Sequence, residues 1–254
     1  MRRKGSGSMS VKSKWTKTKW LRADRALRRF VPETRRFSRS SLRAMTGRYR
    51  TVYFKPTDGT GGSGIARVVR LSPRRFSVKK DMRTFQVSSA GSLYGRLKGI
   101  ARGRSYLLQK GIALRTSGGR PFDVRMTMQR SGGKWVPSAL FVKLGKRNKV
   151  VTNYHQGGKL ALIEPTLRRS GCSPVQINRY KRRLKTLGRQ TARCFDRHST
   201  RFKELGLDVA LDRQGRLWIL EVNTRPNFNA LKSLGDKRLH RTVMRYGRQY
   251  GRTR

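Results

Sequence analysis

"GLDVALDRQGRLWILEVNTRPN", residues 206–227, is two apolar arms of strand character joined by a turn at Gln214-Gly215. Asp208 lies on the first arm and Glu221 on the second, with Asn223 two residues further on. Side chains two apart on a strand share a face, so Glu221 and Asn223 point the same way. Glu221 closes the apolar run Leu217-Trp218-Ile219-Leu220. A carboxylate at the end of a buried strand is costly without a cation. Two carboxylates and an amide oxygen on one face make a hard-oxygen site, suited to Mg²⁺ shared with substrate phosphates. Asp212, just before the turn, is either an alternative to Asp208 or a plain turn residue. The competing reading is a surface hairpin with ordinary polar residues.

The charge balance makes these acids conspicuous. The 254 residues hold 63 Lys and Arg against 12 Asp and Glu, a formal net charge of +51. The cations are spread along the whole chain. Such a field draws polyanions: nucleic acid, acidic polymers or anionic surfaces. The alternative is a cationic coat that only keeps the protein soluble. The length suits one large domain or two small lobes, and the spread of aromatic and β-branched residues marks a folded chain. Cys172 and Cys194 are too few and too far apart for a disulfide framework or a Cys-based zinc site, which leaves free thiols. No apolar run approaches the ~18 residues of a membrane span. No secretory signal is visible, so the default compartment is the cytosol. "MRRKGSGS" ahead of Met9 has the look of a tag or linker.

Working back from the acids, "FKPTDGTGGSGIARVVRL" (54–71) carries Gly59, Gly61, Gly62 and Gly64. The G-x-G-x-x-G spacing is that of dinucleotide sites, but those need a helix after the glycines, and IARVVRL reads as a strand. Protein kinases also need H-R-D and D-F-G, and neither tripeptide occurs. A P-loop needs Lys where Ile65 stands. What remains is a strand lysine, Lys55, followed by a flap over a nucleotide triphosphate. Glycine backbones approach phosphates closely and offer N–H donors, and the hydroxyls of Thr60 and Ser63 add to them.

Other segments fill in around these two. "KWTKTKWLRADRALRRF" reads as a short amphipathic helix ended near Pro32. Strands are expected at 51–55, 65–71, "RFSVKK", "TFQVSS" and 105–112, with a helix over "SLYGRLKGIA". Residues 121–144 read as a hairpin turning at Ser131-Gly132-Gly133. "KVVTNYHQGGKLAL" reads as two strands about a Gly-Gly turn, and Ser173-Pro174 opens the strongest helix. The last stretch from Ala230 reads as a basic helix with a frayed tail.

Taken in order and spacing, "VYFKPTDGTGGSGI", "YLLQKGI", "RPFDVR", "VTNYHQGG" and "GLDVALD…ILEVNTRPN" resemble the ATP-grasp superfamily, most closely its YheC/YheD endospore coat-associated type. The lead-in "SKWTKTKWLRADRALRRFVPETRRF" is similar too, and the resemblance covers roughly residues 12–230. It implies an α+β ATP-grasp fold, two α/β lobes whose antiparallel sheets clamp ATP. The expected organisation is a tag-like 1–11, one ATP-grasp domain over 12–248 and a basic tail at 249–254. Within the domain the flap lobe spans 51–112 and the catalytic lobe 113–230. The stretch before Thr51 is too short for a separate N-terminal pre-ATP-grasp domain.

The same resemblance implies the site. Lys55 and loop 59–64, with Gly59, Gly61, Gly62, Ser63 and Gly64, hold phosphates, and Lys14 is the earlier ATP-binding lysine. Gln109, Lys110 and Ile112 read adenine, chiefly through backbone groups. Asp208, Glu221 and Asn223 ligate one or two Mg²⁺, or Mn²⁺ in its place. Arg125 and Asn153 face the transferred phosphate and the acyl group. From residue chemistry alone, Asp123, two residues away on the same strand face, either orients Arg125 or makes a plain surface ion pair worth little. The implied activity is an ATP-dependent carboxylate–amine (or –thiol) ligase working through an acyl phosphate. Its partners would be ATP, a carboxylate and an amine, with an acidic peptide, cell-surface polymer or nucleic acid suggested by the charge. The implied location includes a spore coat. The rival is a non-catalytic coat or nucleic-acid-binding protein that keeps the fold. In that case Trp15, Trp20 and Tyr49 could stack on bases; otherwise they pack the N-terminal helix onto the core. His155 reads as pocket lining, and His198 and His240 as solvated.

Overall fold

The computed structural model describes residues 7–59, 61–145 and 158–252. Alternation builds its first sheet. In β2 (Thr51–Pro56) Val52, Phe54 and Pro56 turn inward, leaving Tyr53 and Lys55 on the other face. β2 sits centrally in the order β1-β6-β2-β3-β4-β5, with β1 at Thr34–Arg36, β3 at Ala66–Arg70, β4 at Phe76–Lys80, β5 at Arg83–Val87 and β6 at Tyr106–Lys110. Every pairing is antiparallel. Two helices, α2 (Arg39–Arg48) and α3 (Ala90–Ala101), start on serine caps, Ser38 and Ser89. They bury Leu42, Met45, Leu93 and Leu97 against Val52, Phe54, Val68 and Leu108.

The second sheet runs β10-β9-β8-β11-β12 and is also antiparallel, with short β7 (Thr116–Ser117) alongside β8. Its strands are β8 (Arg120–Ser131), β9 (Lys134–Leu144), β10 (Lys159–Leu162), β11 (Glu204–Leu211) and β12 (Leu217–Asn223). One face is covered by α5 (Pro174–Asp196), which opens on a capping box made by Ser173 and Gln176. There α5 approaches so closely that a Cβ on Gly188 would lie 2.7 Å from the Met128 sulfur. Val124, Met126, Met128, Leu205, Leu207 and Val209 join Leu184 and Leu187 in that core. α4 (Ile163–Arg169) leads into α5. The opposite face is partly covered by a 3₁₀ turn (Asn229–Ser233) and by α6 (Lys237–Arg248), through Phe141, Phe228, Leu231, Leu234 and Val243. Its uncovered part faces the first sheet.

α1 (Lys14–Ala23) precedes the first lobe yet packs on the second. Leu21, Leu27 and Val31 belong to the larger core, and Trp20 lies edge-on to Phe195 and Phe202 and stacks on His198. Trp20 and His198 are therefore packing partners. Tyr49 is held by Glu33, to which its hydroxyl donates at 2.6 Å.

Several boundaries differ from the sequence reading. β1 and α2 lie where only a helix and connecting chain were expected, so the first sheet starts at Thr34 rather than Thr51. α6 carries the second lobe beyond residue 230. Residues 8–11 are not a loose tag: Met9 N donates to Arg201 O, Lys203 N to the Ser8 hydroxyl and Val11 N to the Thr224 hydroxyl. The chain is not frayed through residue 252 either, since buried Tyr250 and Arg252 both bond to the Glu204 carboxylate. Cys172 and Cys194 are free and buried. The first strand of the 149–162 segment, Asn153 and His155 lie outside the described residues. Among the described residues no helix is long and apolar enough to cross a membrane.

Candidate nucleotide and metal site

Between the two sheets lies a cleft of about 240 Å³. From the first lobe it takes Lys55 and the glycine loop (Gly59, Gly61, Gly62, Ser63); from α1, Lys14; from the second sheet, Asp123, Arg125, Lys143, Asp208, Glu221 and Asn223. The glycine loop and the β11–β12 hairpin, over 140 positions apart in sequence, thus face each other.

Two bulges set the charged face. Counting from the β8–β9 turn, the pairing shifts by one residue between Thr127 and Met128, which puts Lys143 directly opposite Asp123. In β11–β12 the register shifts between Asp208 and Val209, which puts Glu221 opposite Asp208 and leaves Leu220 as the extra residue. Bulges of this kind re-aim side chains beside functional sites.

Arg125 donates to Asp208 twice, from Nε at 2.5 Å and Nη2 at 3.1 Å. Lys143 Nζ lies 3.0 Å from both Asp208 and Asp123. Burial alone would raise the Asp208 pKa; the two cations overcome it and hold the carboxyl down at about 2. Burial likewise works to lower Arg125 and Lys143, but their acid neighbours leave both raised. The network is fully charged at neutral pH. Asp208 accepts both of these Arg125 bonds, and Asp123 adds a Coulombic pull on the same guanidinium. The close approach needs Gly206: a Cβ there would meet Pro226 at 2.8 Å and Arg125 Nη1 at 3.2 Å.

Lys55 behaves differently. Burial brings its pKa down to about 8, with Glu221 opposing that shift, and its ammonium donates to Gln109 Oε1 at 2.5 Å. Lys14 donates to Gly59 O at 2.6 Å and lies 3.5 Å from Glu221, so it ties the glycine loop to the β11–β12 hairpin.

The adenine segment is only partly placed as expected. The Gln109 side chain is buried and holds Lys55 and Thr34. The Lys110 N–H is spent on Glu33 O and its ammonium sits over the Tyr49 and Trp218 rings. β1, unforeseen in the sequence, takes that edge of β6. Neither Lys110 nor Ile112 lines the cleft. Gly64 lies at the base of the loop, where its φ of +74° and the Tyr106 hydroxyl leave no room for a Cβ. Asp212 caps its turn, accepting from the N–H groups of Gln214 and Arg216 and from the Trp218 indole.

Two cleft lysines were missed. Lys143 was hidden by the bulge that turns it inward. Lys17, one turn on from Lys14, is 5% exposed with its pKa lowered by burial, and lines a narrow extension of the cleft with Gln109 and Leu220. Nothing in a chain so rich in lysine marks it out.

The donor set fits a hard divalent cation. Among the described residues the Asn223 amide makes no side-chain hydrogen bond, and the ion pair of Glu221 is the long contact to Lys14. Asp208 keeps lone pairs beyond those used by its cations, since a carboxylate offers about four acceptor sites. Among the described residues no three His, Cys, Asp or Glu cluster together, so an oxygen set completed by an amide is the arrangement present.

A family model described as YheC/D like ATP-grasp matches residues 7–253. Two curated relatives come from Bacillus subtilis strain 168. Endospore coat-associated protein YheD is 26% identical over 221 residues, 84% of this chain and 48% of the relative. Endospore coat-associated protein YheC is 25% identical over 219 residues, 84% of this chain and 59% of the relative. The chain thus spans only about half the length of the curated relatives it matches. Among solved structures, an N5-carboxyaminoimidazole ribonucleotide synthetase in complex with ADP superposes with a TM-score of 0.55 at 12% identity, covering 94% of this chain and 52% of that one. The VanG D-Ala:D-Ser ligase from Enterococcus faecalis gives 0.53 at 13% identity, covering 92% and 61%. At such identities these two support the fold alone.

Proposed function

The chain belongs to the YheC/D-like ATP-grasp family, and we propose that it is an ATP- and Mg²⁺-dependent ligase joining a carboxylate to an amine or thiol through an acyl phosphate. An acidic peptide or other polyanionic carboxylate is the substrate class that its charge favours. The observation that carries this reading is the convergence of Lys55, Arg125, Asp208, Glu221 and Asn223, from strands of both lobes, on one cleft under the glycine loop. A fold kept only for binding has no need of all five. The structural neighbours include a synthetase bound to ADP and a D-Ala:D-Ser ligase, which is consistent with this chemistry.

In the proposed reaction the substrate carboxylate attacks the γ-phosphate of ATP, releasing ADP and leaving an acyl phosphate. The amine then displaces phosphate. Lys55 meets the triphosphate as a point charge, and Lys14 exchanges its Gly59 and Glu221 contacts for phosphate oxygens. Glycine-loop N–H groups close over the phosphates. Arg125, clamped by Asp208 through Nε and Nη2, keeps Nη1 to hold the carboxylate and the charge that develops on it. Lys143 adds a second fixed charge. Glu221, Asn223 and Asp208 would hold Mg²⁺, whose chemistry is to neutralise the triphosphate and align the transfer. Six cations (Lys14, Lys17, Lys55, Arg125, Lys143, Arg225) face three acids in and beside the cleft, leaving it net positive towards an anionic substrate.

Calorimetric titration with ATP, with and without Mg²⁺, tests the site, and ADP release with pools of carboxylates and amines tests the activity. Glu221→Gln should weaken Mg²⁺-dependent ATP binding and stop turnover. Tight ATP binding with no turnover on any pool would favour the rival non-catalytic binder. Unchanged nucleotide and Mg²⁺ affinity in Glu221→Gln would remove the site itself.

A further inference from the structure

α5 has a second face that the cleft does not use. Arg179, Arg182, Lys185, Arg189 and Arg193 are all exposed and recur every three or four residues. At 100° per residue they fall within a 120° stripe, and at 1.5 Å per residue they span about 21 Å. Among the described residues none of the five makes an ion pair. The three acids nearby are taken by other cations, Glu164 by Lys181, Asp24 by Arg197 and Asp196, the last residue of α5, by Arg130. At one end Arg29, Phe30, Arg183 and Arg216 turn the stripe into a groove with Arg182. Arg183 is anchored on Gly215 O and Arg216 on Arg29 O, so their guanidinium groups are held in place.

We infer that this stripe is a docking surface for the phosphate backbone of a nucleic-acid duplex, read without base specificity. Four of the five groups are arginines, whose planar forks pair with phosphate oxygens two at a time. A straight, rigid row suits a rigid polyanion. B-DNA carries one charge per ~1.7 Å of axis, so a 21 Å row meets more phosphates than it has cations. Single strands need open aromatic platforms; the aromatic rings beside the stripe, Tyr180 and Phe30, are half-buried against the core and covered by Arg183 and Arg29. A lipid surface needs an exposed apolar band beside the charge. α5 spends its apolar face on the core and exposes only Val175. The stripe lies on the far side of the second sheet from the cleft, so this inference stands apart from the ligase reading.

The test is fluorescence anisotropy with a labelled 30-base-pair duplex over a salt series, on the full chain. The stripe predicts a log K against log salt slope near −4.5 from five phosphate contacts. The triple variant Arg182→Gln, Arg189→Gln, Arg193→Gln should cut the slope by about three and the affinity at least ~10-fold. An equal charge removal on α6 (Lys237→Gln, Arg241→Gln, Arg245→Gln) should change the affinity less than ~3-fold. Arg189→Gln alone should cut the slope by about one, which keeps the test open should the triple unfold. Equal losses from the α5 and α6 triples would reduce the effect to net charge and overturn the inference. So would absent duplex binding, stronger stripe-dependent binding to anionic vesicles, or displacement of the duplex by polyglutamate at equal charge.

Discussion

On the cleft side of the second sheet, each strand cation has an acid against it. Arg125 sits on Asp208, and Lys143 on both Asp123 and Asp208. On the other side, beyond α5, five cations stand in a row with no acid among them. The two regions draw on the same excess of basic residues and use it differently. Inside the cleft, low dielectric makes each pairing strong and each missing partner costly. In the α5 row each of the five charges is exposed and screened within about 8–10 Å in ordinary salt. The cleft should therefore respond to single substitutions and to pH, and the stripe to ionic strength.

Removing the hub of the cleft should have the largest effect. Asp208→Ala leaves Arg125 and Lys143 buried without their shared acid and should cost about 3–5 kcal/mol in urea unfolding. The same group sets an acid limit. Its folded pKa of about 2 is below the ordinary 3.8, so its contribution is complete above about pH 4 and is lost as pH falls through 2. A wild-type unfolding series from pH 5 to 2 should show that slope, and Asp208→Ala should flatten it. Next comes Arg125→Met, expected to lower turnover ~100-fold or more, read as kcat for ADP release. Equal turnover in the variant would sever Arg125 from the chemistry.

Gly206→Ala should cost about 1–3 kcal/mol by forcing Pro226 and Arg125 apart, and should lower turnover through Arg125. A thermal melt paired with kcat separates the two effects. Smaller again is the pH effect at Lys55, whose charge is lost as pH rises through about 8. ATP affinity should fall above that pH by no more than about tenfold per unit, and binding at pH 8.5 should take up protons, visible as buffer-dependent calorimetric heats. Smallest is Arg189→Gln on the stripe, which should leave folding stability within about 0.5 kcal/mol of wild type. A loss of several kcal/mol there would mean that α5 charge is structural and would erase the contrast between the two regions.

Much of the fold was legible because it obeys alternation and capping. The hairpins at 121–144 and 207–223, the strands flanking the glycine loop and the Ser173-Pro174 helix start all follow local rules that the structure keeps. β1 was not legible: three residues, Thr-Arg-Arg, two of them exposed, carry no pattern. Its pairing with β6 is decided by tertiary contact, and the residue just before it, Glu33, takes the Lys110 N–H expected to face adenine.

The site shows the same division more sharply. Asp208, Glu221 and Asn223 stand out because acids are scarce. Their alignment depends on a bulge that no count from the turn foresees. With unbroken pairing from Leu211–Leu217, Asp208 would face Leu220. From the Ser131-Gly132-Gly133 turn, Asp123 would likewise face Val142 and Lys143 would point away. A one-residue slip moves a side chain to the other face of a sheet, so Lys143 could not be assigned from spacing. Lys17 was lost in the opposite way, one lysine among 63 cations, distinguished only by its burial.

The central claim is that the cleft makes an acyl phosphate from ATP and a carboxylate. Hydroxylamine traps acyl phosphates as hydroxamates, so the direct measurement is hydroxamate formed per ADP released, with Mg²⁺, ATP and a carboxylate pool that includes acidic peptides. The account predicts a ratio near one for the wild type and neither product with Glu221→Gln or Arg125→Met. ADP release that needs no carboxylate and yields no hydroxamate would contradict it.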